Sequence, residues 1–88
     1  MRIDRPSDLG NHLREVRRRA GLSQAAVAAR AGLSRRWLSD LEAGKATAEV
    51  GLVLKLVAAL DLILEINTAP KSDLDLDVYL SRFERRPG

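Results

Sequence analysis

Three glycines punctuate the first half of this chain, and they constrain it more than any other feature. Gly21, Gly32 and Gly44 each follow a segment with helical spacing of apolar residues. Glycine takes the left-handed conformation at a helix end without the penalty that a Cβ carries. The spacing therefore predicts three short helices in succession. Helix 1 is expected over Asp8 to Ala20 with Ser7 as its N-cap, and it places Leu9, Leu13, Val16 and Ala20 on one face. Gly10 reads as a weak spot in its first turn. Helix 2 is expected over Gln24 to Ala31, capped by Ser23, with Val27, Ala28 and Ala31 inward. Helix 3 is expected over Arg35 to Ala43, capped by Ser34, with Leu38 and Leu41 inward and Arg36 and Asp40 together on another face.

Only Gly32-Leu33-Ser34 separates helices 2 and 3, and Leu33 is placed to plug the angle between them. Two short helices joined by a tight glycine-containing turn form a helix-turn-helix unit. Thr47 is the expected cap of helix 4, Ala48 to about Leu60. Val50, Val53, Leu54, Val57 and Leu60 make one apolar stripe there, and Leu52, Leu56 and Ala59 widen it. A helix apolar over most of its circumference needs cover on more than one side. One small domain supplies one side, which points to a second subunit for the other.

Beyond Asp61 the pattern changes period. Leu62, Leu64 and Ile66 alternate with Ile63, Glu65 and Asn67, which favours a strand over 62–68. The competing reading continues helix 4 to Ile66. A lone strand leaves backbone groups unpaired, so it needs a partner from elsewhere. Ala69-Pro70-Lys71-Ser72 reads as a hinge, dividing a folded unit at 1–68 from a tail at 69–88. Asp73 to Arg86 has the spacing of a last short helix, with Leu76, Tyr79, Leu80 and Phe83 as its apolar stripe. That stripe either docks on a partner protein or packs on the chain's own dimer. The fold class expected is thus all-α: a bundle of four to five helices, with a short C-terminal strand paired across a dimer.

Composition narrows the chemistry. At 88 residues the chain fits one domain, near the size where oligomerisation commonly adds stability. It has no cysteine, which excludes disulfides and thiolate metal sites and suits a reducing cytoplasm. The start lacks the apolar core of a signal peptide, and the stretch from Val50 to Ile66 is too short and too charged to span a bilayer. Residues 1–45 hold 10 Lys/Arg against 5 Asp/Glu, whereas 46–88 hold 5 against 7. A basic N-terminal part suggests a surface for a polyanion. No phosphate-binding glycine loop or nucleophile constellation points to an enzyme, and no cofactor is expected. His12 has no second ligand for a metal. Asp73, Asp75, Asp77 and Glu84 sit at calcium-loop spacing, but Val78 stands where that loop requires glycine.

The run from Gly21 to Lys45 resembles the phage-repressor, Cro/Xre-type helix-turn-helix family. The resemblance rests on Ser23-Gln24 opening helix 2, on Ala28, Gly32 and inward Leu38, and on Leu41-Glu42-Ala43-Gly44-Lys45. With helices 1 and 4 it covers residues 8 to 60 of a family fold of five helices. Ser34-Arg35-Arg36, Ser39-Asp40-Leu41-Glu42 and the apolar run from Gly51 to Leu62 resemble the HipB-type antitoxin branch. Members of that branch are dimers that pair one strand from each subunit, repress their own operon and bind a HipA-type kinase toxin.

The resemblance implies roles for named residues. Helix 3 would enter the major groove, where base edges are distinguishable. Ser34, Arg35, Arg36, Ser39 and Asp40 match groove-facing positions. Asp40 would either accept from a cytosine amine or hold Arg36. Gln24 and Lys45 match phosphate contacts, with Arg18 or Arg19 adding charge. Trp37 is left between core, sugar-phosphate contact and surface. Arg17 and Glu42 match a pair that bridges helix 1 to the end of helix 3. Dimerisation falls to Val53, Leu56, Leu62, Leu64 and Ile66, and partner binding to Leu76, Tyr79, Leu80 and Phe83. The expected partners are operator DNA with an inverted repeat, a second copy of the chain and a HipA-type kinase, in the cytoplasm on the nucleoid.

Overall fold

The computed structural model describes residues 1–45 and 47–70. The tail helix expected over Asp73 to Arg86, with Leu76, Tyr79, Leu80 and Phe83, lies outside them. The described residues form α1 (Pro6–Arg19), α2 (Gln24–Ala31), α3 (Arg35–Glu42) and α4 (Val50–Ala59). This is the expected all-α bundle with a helix-turn-helix at its centre.

Each boundary has a local cause. The α1 helix starts earlier than expected and Ser7 does not cap it. Pro6 occupies the first helical position, where its missing N–H is no loss. The Asp8 carboxylate then accepts from the amides of Asp4 and Arg5, both at 3.0 Å. Ser23 and Ser34 cap α2 and α3 as expected. The Ser23 hydroxyl accepts from Ala26 N–H at 3.1 Å, and the Ser34 hydroxyl from Trp37 N–H at 3.0 Å. Thr47 does not cap α4. That helix begins at Val50 after Glu49, whose side chain makes no capping bond. Thr47, Ala48 and Glu49 instead run beside Trp37, bordering a shallow cavity with it.

All four helices end in the same way. Gly21, Gly32, Gly44 and Asp61 take positive φ of 71°, 70°, 84° and 57°. The next residue's amide then returns to a carbonyl five positions back: Leu22 to Arg17, Leu33 to Ala28, Lys45 to Asp40 and Leu62 to Val57. Such an end satisfies carbonyls that a helix leaves open, and it usually seats an apolar residue after the turn. Leu22, Leu33 and Leu62 do pack against the core. Leu33 fills the corner between α2 and α3, as expected. Lys45 is exposed instead, the one departure from the pattern.

The core consists of Leu13, Val27, Ala28, Leu38, Leu41, Val53, Leu56, Val57 and Leu60. Its tightest joint is between α1 and the end of α3. Gly10 is buried there, and a Cβ at that position would run into the Leu41 carbonyl oxygen and come within 3.2 Å of the Glu42 Cα. Gly10 is therefore required by close packing rather than being a weak point in α1. Gly44 faces the Ser7 backbone in the same joint.

On α4 the structure divides what the sequence left undivided. Val53 and Leu56, expected at a dimer surface, are buried in the protomer at 8% and 0% exposure. Val50 and Leu54, expected in the same apolar stripe as Val53, are exposed. The helix stops at Ala59, so it does not continue to Ile66. Residues 62–70 carry no helix or ladder within the protomer, with Leu62 half-buried and Ile63, Leu64 and Ile66 exposed.

Candidate nucleic-acid interface

The two serine caps fix where α2 and α3 begin. Arg35 and Arg36 stand in the first turn of α3, exposed. Among the described residues neither makes a hydrogen bond or an ion pair. Two unpaired guanidinium groups at an exposed helix start are free to reach a polyanion. Ser39 is exposed one turn further on, and Asp40 is half-buried. Asp40 does not hold Arg36. Its carboxylate lies 3.5 Å from the Lys45 ammonium, across the turn that ends α3.

Behind this face is a buried polar clamp. Arg17 is 9% exposed and Glu42 is 6% exposed. The Arg17 guanidinium grips the Glu42 carboxylate with two bonds, Nε to Oε2 at 2.7 Å and Nη2 to Oε1 at 2.8 Å. Its remaining nitrogen donates to the Leu22 carbonyl at 2.8 Å. Gln24 Nε2 donates to the same carboxylate at 3.2 Å. The clamp thus ties α1, the start of α2 and the end of α3 to one another, and no buried side-chain nitrogen or oxygen among the described residues is left without a partner. Burial alone would raise the Glu42 carboxyl. The bonds from Arg17 and Gln24, with the charges of Arg17 and Arg14, outweigh it and hold that carboxyl below its ordinary value. The Glu42 bond likewise raises Arg17, against the opposing pull of burial.

The remaining expected residues separate. Gln24, expected to hold a phosphate, uses one amide hydrogen on Glu42 and is half-buried. Trp37 is half-buried and packs against the core. Arg19 is paired with Glu15 at 3.1 Å on the exposed side of α1. Arg18 borders a cavity of about 290 Å³ with Arg14, Gln24 and Ser39, over the clamp. Arg14 was missed from the sequence. The signal available was its spacing of four from Arg18, with Arg17 between them on the same face.

Residues 8–65 match the helix-turn-helix domain family, and the chain belongs to it. The chain is 42% identical over 65 residues to the uncharacterized HTH-type transcriptional regulator y4mF of Sinorhizobium fredii, covering 74% of this chain and 86% of that protein. The fold matches the HipB chain of a HipB-O4 20mer complex with a TM-score of 0.74, at 23% identity, over 80% of this chain and 99% of that one. It also matches the restriction-modification controller protein C.AhdI from Aeromonas hydrophila with a TM-score of 0.63. That match is 36% identical and covers 66% of this chain and 88% of the controller. The chain is thus a helix-turn-helix protein of the transcription-regulator class.

Proposed function

We propose that the chain is a dimeric, sequence-specific repressor that reads operator DNA with the start of α3. The observation that carries this reading is the pairing of exposed, uncommitted Arg35 and Arg36 with the buried Arg17–Glu42–Gln24 clamp that fixes their helix. Arginine is the side chain best suited to grip guanine with two bonds in the major groove. Ser34, Ser39 and Asp40 border the same edge of α3, and Lys45 lies at its far end beside the Gly44 turn. Lys45 breaks the apolar pattern of the other helix ends, as a phosphate contact would require.

Dimerisation supplies the second half of the reading. Val50 and Leu54 on α4 and Ile63, Leu64 and Ile66 beyond it leave apolar surface uncovered in one protomer. Pairing of the 62–68 segments across a two-fold axis would cover it and satisfy the open backbone. The two recognition helices would then meet half-sites about 34 Å apart in an inverted repeat.

As an antitoxin of the HipB kind, the protein would repress its own operon and bind a HipA-type kinase. The likeness in fold to the HipB chain of a HipA-HipB-O2-O3 complex supports that assignment. The higher identity to C.AhdI supports a second reading, a regulator with no toxin partner. The test has two parts. Anisotropy titration of duplexes from upstream of its own gene should find one preferred site, and Arg36→Ala should weaken it by about 1–3 kcal/mol while sparing random DNA. Purification from its native cell should bring down a kinase-sized protein if the antitoxin reading holds and none if the regulator stands alone. Equal binding of Arg36→Ala and the wild type to the preferred site would remove α3 as the reading helix.

A further inference from the structure

An apolar groove of about 130 Å³ runs between the start of the chain, α1 and the segment after α4. Leu13 and Val57, both buried in the core, form its floor. Ile3 and Leu64 form its rim, 40% and 46% exposed. Two polar side chains interrupt the lining, half-buried His12 and exposed Glu65. Among the described residues neither makes a hydrogen bond. Backbone pairing of the 62–68 segments across a two-fold would use the edge of that segment. The groove is lined by its side chains, so a dimer of that kind leaves the groove open. An apolar cavity of roughly 150 Å³ holds a molecule the size of benzene, so this groove has room for one aromatic ring. The chain has one tryptophan, one tyrosine and one phenylalanine. Trp37 is already packed against the core. Tyr79 and Phe83 lie outside the described residues, in a stripe with Leu76 and Leu80 at helical spacing.

We propose that the chain's own C-terminal segment closes this groove, with the Tyr79 ring seated over Leu13 and Val57. The proposal goes beyond the repressor reading and does not depend on it. It gives to the chain itself an apolar stripe that the resemblance assigns to a partner protein. Three observations choose this occupant. The first is reach. Glu65 lines the groove, the described chain ends at Pro70, and thirteen residues, 66–78, lie between Glu65 and Tyr79. A loop of that length closes at little more cost than a shorter one, and Pro70 stands where the chain must turn back. The second is size, since the groove takes one ring and not two. The third is polarity. A buried tyrosine hydroxyl needs a hydrogen-bond partner, and His12 and Glu65 supply one, which a phenylalanine ring would leave unused. Leu76, Leu80 and Phe83 then cover the rim at Ile3 and Leu64.

The test is nuclear Overhauser spectroscopy of the full chain, in which a single tyrosine makes the ring signals unambiguous. The Tyr79 ring protons should show contacts to the methyl groups of Ile3, Leu13, Val57 and Leu64. In samples mixed from labelled and unlabelled chains, those contacts should stay within one chain. Contacts found only between chains would give the groove to the tail of a second copy and overturn the proposal. Contacts from Phe83 in place of Tyr79, or none from either ring, would overturn it as well. Thermal unfolding supplies the second measurement. Tyr79→Ala should lower the melting temperature by about 5 °C, and truncation after Thr68 should lower it at least as far. Tyr79→Phe should keep the methyl contacts and lose only part of that stability. Ile3→Ala and Tyr79→Ala combined should lose less than the sum of the two single variants, as residues in contact do. A truncated chain that melts like the full one, or an additive pair, would leave the groove without this occupant and overturn the proposal. Neither measurement involves DNA, so the repressor reading stands or falls separately.

Discussion

The two ends of the bundle solve opposite problems. At the α1–α3 joint the protein buries charge and satisfies all of it. Arg17, Glu42 and Gln24 form a closed polar unit under a glycine contact too tight for a methyl group. At the α4 end it does the reverse, leaving Ile63 84% and Ile66 93% exposed. One region is closed within the protomer, and the other leaves apolar surface open. A closed polar joint suits a part that must hold its geometry, and an open apolar edge suits a part that associates. A buried ion pair adds little net stability compared with apolar packing, but it fixes orientation through its angular demands. An uncovered apolar edge fixes nothing alone, yet it gains stability when a second copy covers it.

The largest effect expected is from opening the clamp. Arg17→Ala leaves the Glu42 carboxylate buried and without its main partner, which costs about 3–5 kcal/mol. Urea unfolding would read this directly, and the protein should be close to unfolded at physiological temperature. The comparison sharpens with the double variant Arg17→Met, Glu42→Leu. It should recover most of the stability while binding DNA worse than the wild type, because α3 loses its tether. A double variant that binds the operator as well as the wild type would mean that the clamp does not position α3. The pH dependence follows with its sign. The Glu42 carboxyl is held below its unfolded value of 4.5. Its contribution is therefore fully present above that pH and fades as pH falls through the lower folded value. Glu42→Gln should flatten this acid limb, and an unchanged limb would locate the acid sensitivity elsewhere.

Next in size is Gly10→Ala. Helix propensity alone favours alanine by about 1 kcal/mol. The Cβ meets the Leu41 carbonyl, however, so α1 must shift off α3, and overpacking of this kind costs about 1–3 kcal/mol. A net loss of up to about 2 kcal/mol in thermal or denaturant unfolding is expected. A stabilised variant would mean the joint is looser than drawn. Ile66→Asp tests the other region. It should leave protomer folding intact and weaken the dimer by about tenfold or more in sedimentation equilibrium, the effect of removing a well-buried interface anchor. A dimer that survives both Ile66→Asp and Leu64→Asp does not pair through these residues.

The same contrast governs what was legible in the sequence. Ser23, Ser34 and the left-handed glycines announce themselves through local chemistry, and α2 and the start of α3 follow from it. The Arg17–Glu42 pair was reached through resemblance, since 25 residues of chain separate its members. The bond from Gln24 to Glu42 and the need for Gly10 were not legible, because each depends on two helices meeting in space. On α4 the limit is of another kind. A helix apolar on nearly every side does not say which arc its own domain takes, so Val53 and Leu56 were assigned outward when the protomer buries them. Ser7 lost its expected role to Pro6 and Asp8, whose combined signal is as local as Ser23's but was outweighed by the preference for a serine cap. Thr47 lost its role because the link along Trp37 delays the start of α4.

The smallest effect tests the point where the two regions differ in a single residue. Three helix ends use glycine in the left-handed conformation, and the fourth uses Asp61 at φ 57°. A non-glycine residue there costs about 1 kcal/mol, somewhat less for Asp, whose short side chain tolerates the region. What Asp61 gains in return is an ion pair with Arg30 at 3.5 Å, in which its side chain is 83% exposed. Exposed pairs of this kind contribute from nothing to about 1 kcal/mol and are screened by salt. Asp61→Gly should therefore be neutral at low salt and stabilising by about 0.5 kcal/mol at high salt, where the ion pair no longer offsets the strain. Thermal unfolding at two salt concentrations reads the difference. The Arg30→Ala, Asp61→Gly pair should show no such salt term. The turn also sets the direction in which Leu62 and the 63–66 segment leave the bundle. A glycine in its place keeps the bond from Leu62 to Val57 but loosens that direction, so Asp61→Gly should dimerise no better than the wild type despite a more stable protomer. Stronger dimerisation would show that Asp61 opposes assembly, and would make the α4 end less open by design than its exposed leucine and isoleucines imply.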